Sequence, residues 1–273
     1  MKQSFHAIWK NKSLFILLLF LEIFFFGIFF YINMNYQTKI LESAKTISDY
    51  LSKQKLDDAS VATNVIQQKN VLGDDPLLIS REFNSMKNNF MHYLALSFAL
   101  FVFFLSAGWA LTGYMIYKSS FKKLIHDFLK NIVILCVNLG LIFGFLFLLF
   151  DIPLSEAAEA SNVFSKFVPF LIFSMILIYF MFISLSLSFK LDLKNIVQRT
   201  LSIGIRKIHY VLLVYLINII LFLLSLALFY YSLDSSLIFL FFSVLLFTFS
   251  FVFGKIFVMN SVNRLDMDLK LNQ

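Results

Sequence analysis

The sequence predicts an all-α polytopic membrane protein, six transmembrane helices with an extracytoplasmic helical hairpin between helices 1 and 2. Three observations carry that reading. Apolar residues make up 60% of the 273-residue chain and charged residues only 14%, against roughly 45–50% and 25% in soluble proteins. The mean hydropathy is +0.82, and 37 phenylalanines recur within uninterrupted apolar runs. Those runs reach about twenty residues, the length a helix needs to cross a hydrocarbon core of about 30 Å in which no water satisfies free backbone groups. The same composition excludes other classes. A single cysteine, Cys136, forms no disulfide framework. The net charge of +7 is scattered around apolar spans, which fits neither a disordered tail nor a basic nucleic-acid binder.

Six stretches qualify as spans: 13–32, 92–117, 131–150, 167–189, 210–231 and 237–258. The first follows Lys2, Lys10 and Lys12, as a secretory signal would, yet it is too long for an h-region and no small-x-small cleavage site follows it. It is expected to remain as an anchor. The last two spans are joined by Ser232-Leu233-Asp234-Ser235-Ser236, short enough for a tight helical hairpin. The resulting organisation is a cytoplasmic N-terminus with helix 1 over 1–32, an extracytoplasmic helical insert over 33–91, helices 2–6 over 92–258 and a cytoplasmic tail over 259–273.

The sidedness rests on Lys and Arg outside the spans. The N-terminus, the 118–130 and 190–209 loops and the stretch from Lys255 onward hold fifteen; the opposite side holds eight, seven of them in the 33–91 insert among seven acids. Both termini are therefore expected in the cytoplasm of a cell-membrane protein. In the insert, Ile40, Ala44, Ile47 and Leu51 form one apolar stripe at spacings of four and three, continued weakly by Ala59, Ala62 and Ile66. Gly73-Asp74-Asp75-Pro76 predicts a turn, and Phe83, Met86 and Phe90 share a face beyond it. The stripe is expected to pack on itself, with docking of a membrane-protein partner as the alternative.

Ionisable groups at mid-bilayer are functional candidates by default. The sequence offers Glu22, about ten residues into the first span, and no basic residue is expected at its depth. The favoured reading is a neutral carboxylic acid hydrogen-bonded to a neighbouring helix, through Asn138, Asn218 or a serine; the alternative is proton or cation handling. Asn138 and Asn218 are expected to face the bundle as interhelical hydrogen-bonding groups. Gly140 and Gly144 form a GxxxG in the third span, and Gly108 and Gly113 flank small residues around Trp109; both pairs are expected to be internal packing seams rather than dimer faces. Ser184, Ser186 and Ser188 are expected to bond to their own helix backbone.

On the basic side, Phe121, Leu124, Ile125 and Phe128 alternate with Lys122, Lys123, His126 and Lys130, a short amphipathic helix. The 189–209 segment has the same character, with Leu193, Ile196, Val197, Leu201 and Ile205 among Lys190, Lys194, Arg199, Arg206 and Lys207. Such segments lie in the interface and attract anionic lipid headgroups. Ser120-Phe121-Lys122 and Ser188-Phe189-Lys190, 68 residues apart, each close an inward-running span; coincidence in a biased composition explains the match better than duplication.

No enzyme signature stands in the chain. It has no GxxxxGK[ST], HExxH or GxSxG motif, and His6, His92, His126 and His209 are dispersed. The expectation is no catalytic residue, cofactor or metal. The six-span plan, with an amphipathic Ser-Phe-Lys segment leading into a later span, resembles uncharacterised six-helix integral membrane protein families of small prokaryotic genomes. That resemblance covers spans two to six, implies no activity, and is departed from by the 33–91 insert. The function these features favour is a structural or accessory role, as scaffold or complex subunit; the alternative is a channel or transporter for a small or lipid-like solute.

Overall fold

The computed structural model describes residues 2–53, 77–150 and 160–271, and among them every regular element is an α-helix. In chain order these are α1 (Lys2–Lys10), α2 (Lys12–Lys53), α3 (Leu78–Tyr117), α4 (Phe121–Phe150), α5 (Ala160–Leu187), α6 (Leu193–Arg206), α7 (Ile208–Ser232) and α8 (Leu237–Leu271). Six of them, α2, α3, α4, α5, α7 and α8, are long and apolar enough to cross a membrane. They coincide with the six expected spans and extend most of them. At 1.5 Å per residue, the 42 residues of α2 reach about 60 Å, roughly twice a hydrocarbon core.

The chain divides into two compact units, residues 27–99 and the remainder. In the larger unit, the outward faces of the spans are apolar. On α7 alone, Leu212, Leu213, Leu216, Ile219, Ile220, Leu223 and Leu224 are all exposed. A continuous surface of that kind marks a face that lipid or another protein covers. Packing within the unit is built on narrow stripes. On α2, Phe15, Leu18, Glu22 and Phe25 are the buried positions, at spacings of three and four. Phe15 and Leu18 join Met115 of α3 and Val252 and Ile256 of α8 in one cluster.

The N-terminal α1 is amphipathic and lies on α8. Phe5 packs on Phe253 at 5.0 Å between ring centroids, Asn260 donates to the Ser4 hydroxyl at 3.2 Å, and Arg264 donates to Gln3 at 2.8 Å. Asn11, between α1 and α2, donates to the carbonyls of Ala7 (3.2 Å) and Met115 (3.0 Å), so one amide ties the helix junction to the end of α3. The turn between α7 and α8 is short, and serine pairs stitch the two helices: Ser225 with Ser250 at 2.8 Å, and Ser232 with Ser243.

The 118–130 segment differs from its expectation. It is not a separate interfacial helix, because from Phe121 it is continuous with the span that follows. No Gly or Pro stands between Phe121 and Leu139, so nothing breaks the helix where hydropathy changes. The second basic segment does form a separate helix, α6, which buries Ile196, Thr200, Ile203 and Gly204. Tyr179 of α5 donates to the Gly204 carbonyl at 2.8 Å, and Ser184 meets Thr200 at 3.1 Å.

In the smaller unit, the stripe on α2 faces inward: Ile40, Ala44 and Ile47 are partly buried and Ser43 is buried. Tyr36 of α2 stands 6.2 Å from Tyr93 of α3, ring to ring, and Phe90 stands 6.4 Å from Tyr93. The expected turn at Gly73–Pro76, the residues Ala59, Ala62 and Ile66, and the 151–159 loop lie outside the described residues.

Candidate functional site

The buried stripe of α2 carries Glu22 into the bundle, where its Oε1 accepts from Lys255 Nζ of α8 in a direct ion pair. This corrects the expectation that Glu22 has no basic partner at its depth. The two side chains are only 3% and 6% exposed. Lys255 stands at the end of the apolar run that opens α8, where hydropathy alone assigns it to the outer rim of the span. The helix instead continues unbroken to Leu271, and Val252, Ile256 and Met259 bury the same face. Removing Lys255 from the exposed cations lowers the basic-side count from fifteen to fourteen and leaves the asymmetry intact.

A small residue on α3 makes room for the pair. A Cβ added to Gly108 falls 2.8 Å from Lys255 Nζ and 3.0 Å from Glu22 Oε1. Thr112 of α3 donates to the Gly108 carbonyl at 2.7 Å, so its hydroxyl is satisfied along its own helix. The Lys255 ammonium also lies 4.9 Å from the Phe251 ring centroid. A charged pair taken out of water is tolerable only with close geometry and polar or π partners on its remaining faces. Glu22, Lys255 and Gly108 therefore form one three-helix site.

The other polar candidates do not join it as hydrogen-bonding partners. Asn138 donates to the Ile134 carbonyl at 2.8 Å, on its own helix, so it is not the interhelical bond expected of it. An amide four residues after a helical carbonyl finds that acceptor without crossing to another helix. Asn218 of α7 lies against Gly254, its Oδ1 3.3 Å from where a Cβ would stand, and neither of its amide atoms has a hydrogen-bond partner among the described residues. It too falls short of the expected interhelical bond, because the backbone it faces on α8 has its own donors and acceptors committed within the helix. Ser184, Ser186 and Ser188 each donate to carbonyls of their own segment, as expected.

The glycines separate into two kinds. A Cβ on Gly113 would collide with the Phe189 ring, so Gly113, like Gly108, permits a close approach. Gly140 and Gly144 have nothing within 4 Å of an added Cβ. Among the described residues, no neighbour forms the expected seam at this GxxxG, because the i, i+4 glycines face away from the neighbours that bury Leu139 and Ile142.

Two further ion pairs escaped the sequence reading. Arg199 of α6 donates to Asp266 of α8 through Nε at 2.6 Å, and its Nη2 reaches the Asp266 carbonyl at 3.3 Å. Lys130 stands 3.0 Å from Asp127 and donates to the Ser188 carbonyl at 2.6 Å. Both Arg199 and Lys130 had been expected as lipid-facing cations. Asp127, three residues before Lys130, is the visible signal for that pair; nothing in the sequence links Arg199 to an acid 67 residues away.

Among the described residues, no group of three or more His, Cys, Asp or Glu is placed to hold a metal ion. The arrangement chemically suits holding helices together through buried charge. No protein family, curated protein or solved structure matches the chain.

Proposed function

We propose that this multi-pass membrane protein has a structural or accessory role, as a scaffold or complex subunit, with both termini in the cytoplasm and its basic face on anionic lipid. The observation that carries the reading is the closure of the intramembrane charge on itself: Glu22 is spent on Lys255, and on the α3 side the Gly108 backbone closes up against both groups. The amides of the third and fifth spans point elsewhere, one to its own backbone and one toward Gly254. A transport route needs polar groups converging on a cavity, and these do not converge.

The test pairs two measurements on the full chain. Extracted from its own membranes in mild detergent, the tagged protein is expected to migrate in an assembly larger than protein plus detergent. Reconstituted into liposomes holding a pH-sensitive dye, it is expected to pass protons no faster than protein-free vesicles. Proton flux that Glu22→Gln abolishes, in a protein that still folds, overturns the scaffold reading in favour of proton-coupled transport.

A further inference from the structure

The two Ser-Phe-Lys tripeptides, 68 residues apart in sequence, meet in space. Ser120 and Lys122 of the first, with the adjoining Lys123, and Phe189 and Lys190 of the second line one open cavity of about 430 Å³. We propose that this cavity binds the phosphate of an anionic membrane phospholipid. The proposal rests on the reading of the basic face as lipid-facing and adds to it a discrete site.

Charge comes first. Four lysines and His126 line the cavity against two aspartates, Asp127 and Asp192. Asp127 is fully buried and already has Lys130 at 3.0 Å, and Lys130 is in turn held by the carbonyls of Ser188 (2.6 Å) and Leu191 (3.4 Å). That pair is wall rather than ligand, and it fixes the start of α4 to the end of α5. Lys122, Lys123 and His126 are exposed at the mouth, while Lys190 lies 5.5 Å from the Tyr117 ring centroid on the opposite side. The surplus is cationic, and it comes from two chain segments that face each other.

Backbone geometry adds to it. The cavity opens at the N-terminus of the 30-residue α4, where Ser120 accepts from the Lys123 amide at 3.4 Å. The positive end of a helix dipole favours an anion in the same place as the lysines.

The choice of a lipid over a free phosphate follows from the adjoining surface. At 100° per residue, Phe121, Ile125 and Leu129 occupy the α4 face beside that of Lys122 and His126. These three are 70%, 48% and 53% exposed. An apolar strip that runs from the cavity along a membrane span offers a path for acyl chains. Inorganic phosphate has no use for it.

The experiment uses the full-length protein, purified and delipidated in a non-ionic detergent and followed by native mass spectrometry. Dioleoyl phosphatidylglycerol is titrated against dioleoyl phosphatidylcholine, with and without millimolar inorganic phosphate. One phosphatidylglycerol is expected to bind in preference to phosphatidylcholine and to persist in phosphate. Lys122→Gln/Lys123→Gln is expected to weaken it on the order of thirtyfold, about fivefold per lysine, whereas Lys122→Arg/Lys123→Arg keeps it. Lys194→Gln/Lys207→Gln, which removes the same charge outside the cavity, is expected to leave it within about fivefold. Lys122, Lys123 and Lys194 are exposed and Lys207 is half-buried, and unchanged thermal stability without lipid confirms that each variant folds. Equal losses in the cavity and control variants overturn the discrete site and leave the broader lipid-facing reading standing. Displacement by inorganic phosphate overturns the lipid assignment. Absence of any preference for phosphatidylglycerol overturns both.

Discussion

Breaking the Glu22–Lys255 pair one charge at a time is expected to be among the most destabilising pairs of single substitutions in the chain. Both groups are buried, and Gly108 holds α3 within contact of both. Glu22→Gln leaves the Lys255 ammonium without its counter-charge, and Lys255→Met does the same to the carboxylate. Removing one partner of a buried pair costs about 3–5 kcal/mol, because the survivor is left uncompensated. The translocon-scale cost of a single charge at mid-span, about 2.5–3.5 kcal/mol, agrees in size. Replacing both by apolar residues of similar volume, Glu22→Leu/Lys255→Met, removes both charges at once and is often neutral or stabilising in comparable buried pairs. The assay is thermal unfolding in mild detergent across the full cycle. Each single variant is expected to lower Tm by on the order of 10 °C, at about 2–4 °C per kcal/mol for a chain of this size. The double variant should recover most of that loss, giving a coupling energy well above 1 kcal/mol. Single variants that lose less than about 1 kcal/mol, or a double variant that loses the sum of the two, refute the pair as a structural lock.

Three other outcomes are expected. In a Cys136→Ser background, cysteines at Lys39 and Ser235 should react with an impermeant thiol reagent in intact cells and one at Lys194 should not; the reverse pattern inverts the topology. Gly113→Ala and Gly108→Ala should each lose about 1–3 kcal/mol in the same unfolding assay, since an added Cβ meets the Phe189 ring or the ion pair, whereas Gly144→Ala should stay within about 0.5 kcal/mol. Asp266→Asn should weaken the anchoring of α6, read as faster proteolysis or hydrogen exchange over Leu193–Arg206, because Arg199 reaches both its carboxylate and its carbonyl.

The six spans were legible because lipid imposes a one-dimensional rule. A helix must be long and apolar enough to cross, and Phe-rich runs state that without reference to any partner. Helix ends were less legible. The hydropathy change near Asn131 marks where the hydrocarbon begins, not where the helix begins, so α4 starts ten residues earlier, at Phe121. Close packing was half legible: a glycine announces that approach is permitted, but the direction it faces depends on which helices surround it. Gly108 and Gly113 meet neighbours, and Gly140 and Gly144 do not, although the latter spacing looks the more suggestive in sequence.

The site shows why pairing across a bundle resists reading. Glu22 was visible as an anomaly because every neighbour in its run is apolar. Lys255 was not, because a lysine near the end of a hydrophobic run has an ordinary explanation in snorkelling to the interface. Only the antiparallel placement of α2 and α8, 233 residues apart in sequence, brings the two to one depth. The same holds for Arg199 and Asp266, where a cation in a basic amphipathic helix looks like a lipid contact until a buried acid is found beside it. In each case composition identifies one partner as unusual or as commonplace, and topology decides which cations are left for the membrane. Removing Lys130, Arg199 and Lys255 from the lipid-facing set leaves Lys122 and Lys123 as exposed lysines at the start of α4, beside an apolar strip and opposite Lys190. Topology thus separates the lysines held by partners inside the bundle from Lys122 and Lys123, which stay exposed at the mouth of the cavity where the two tripeptides meet.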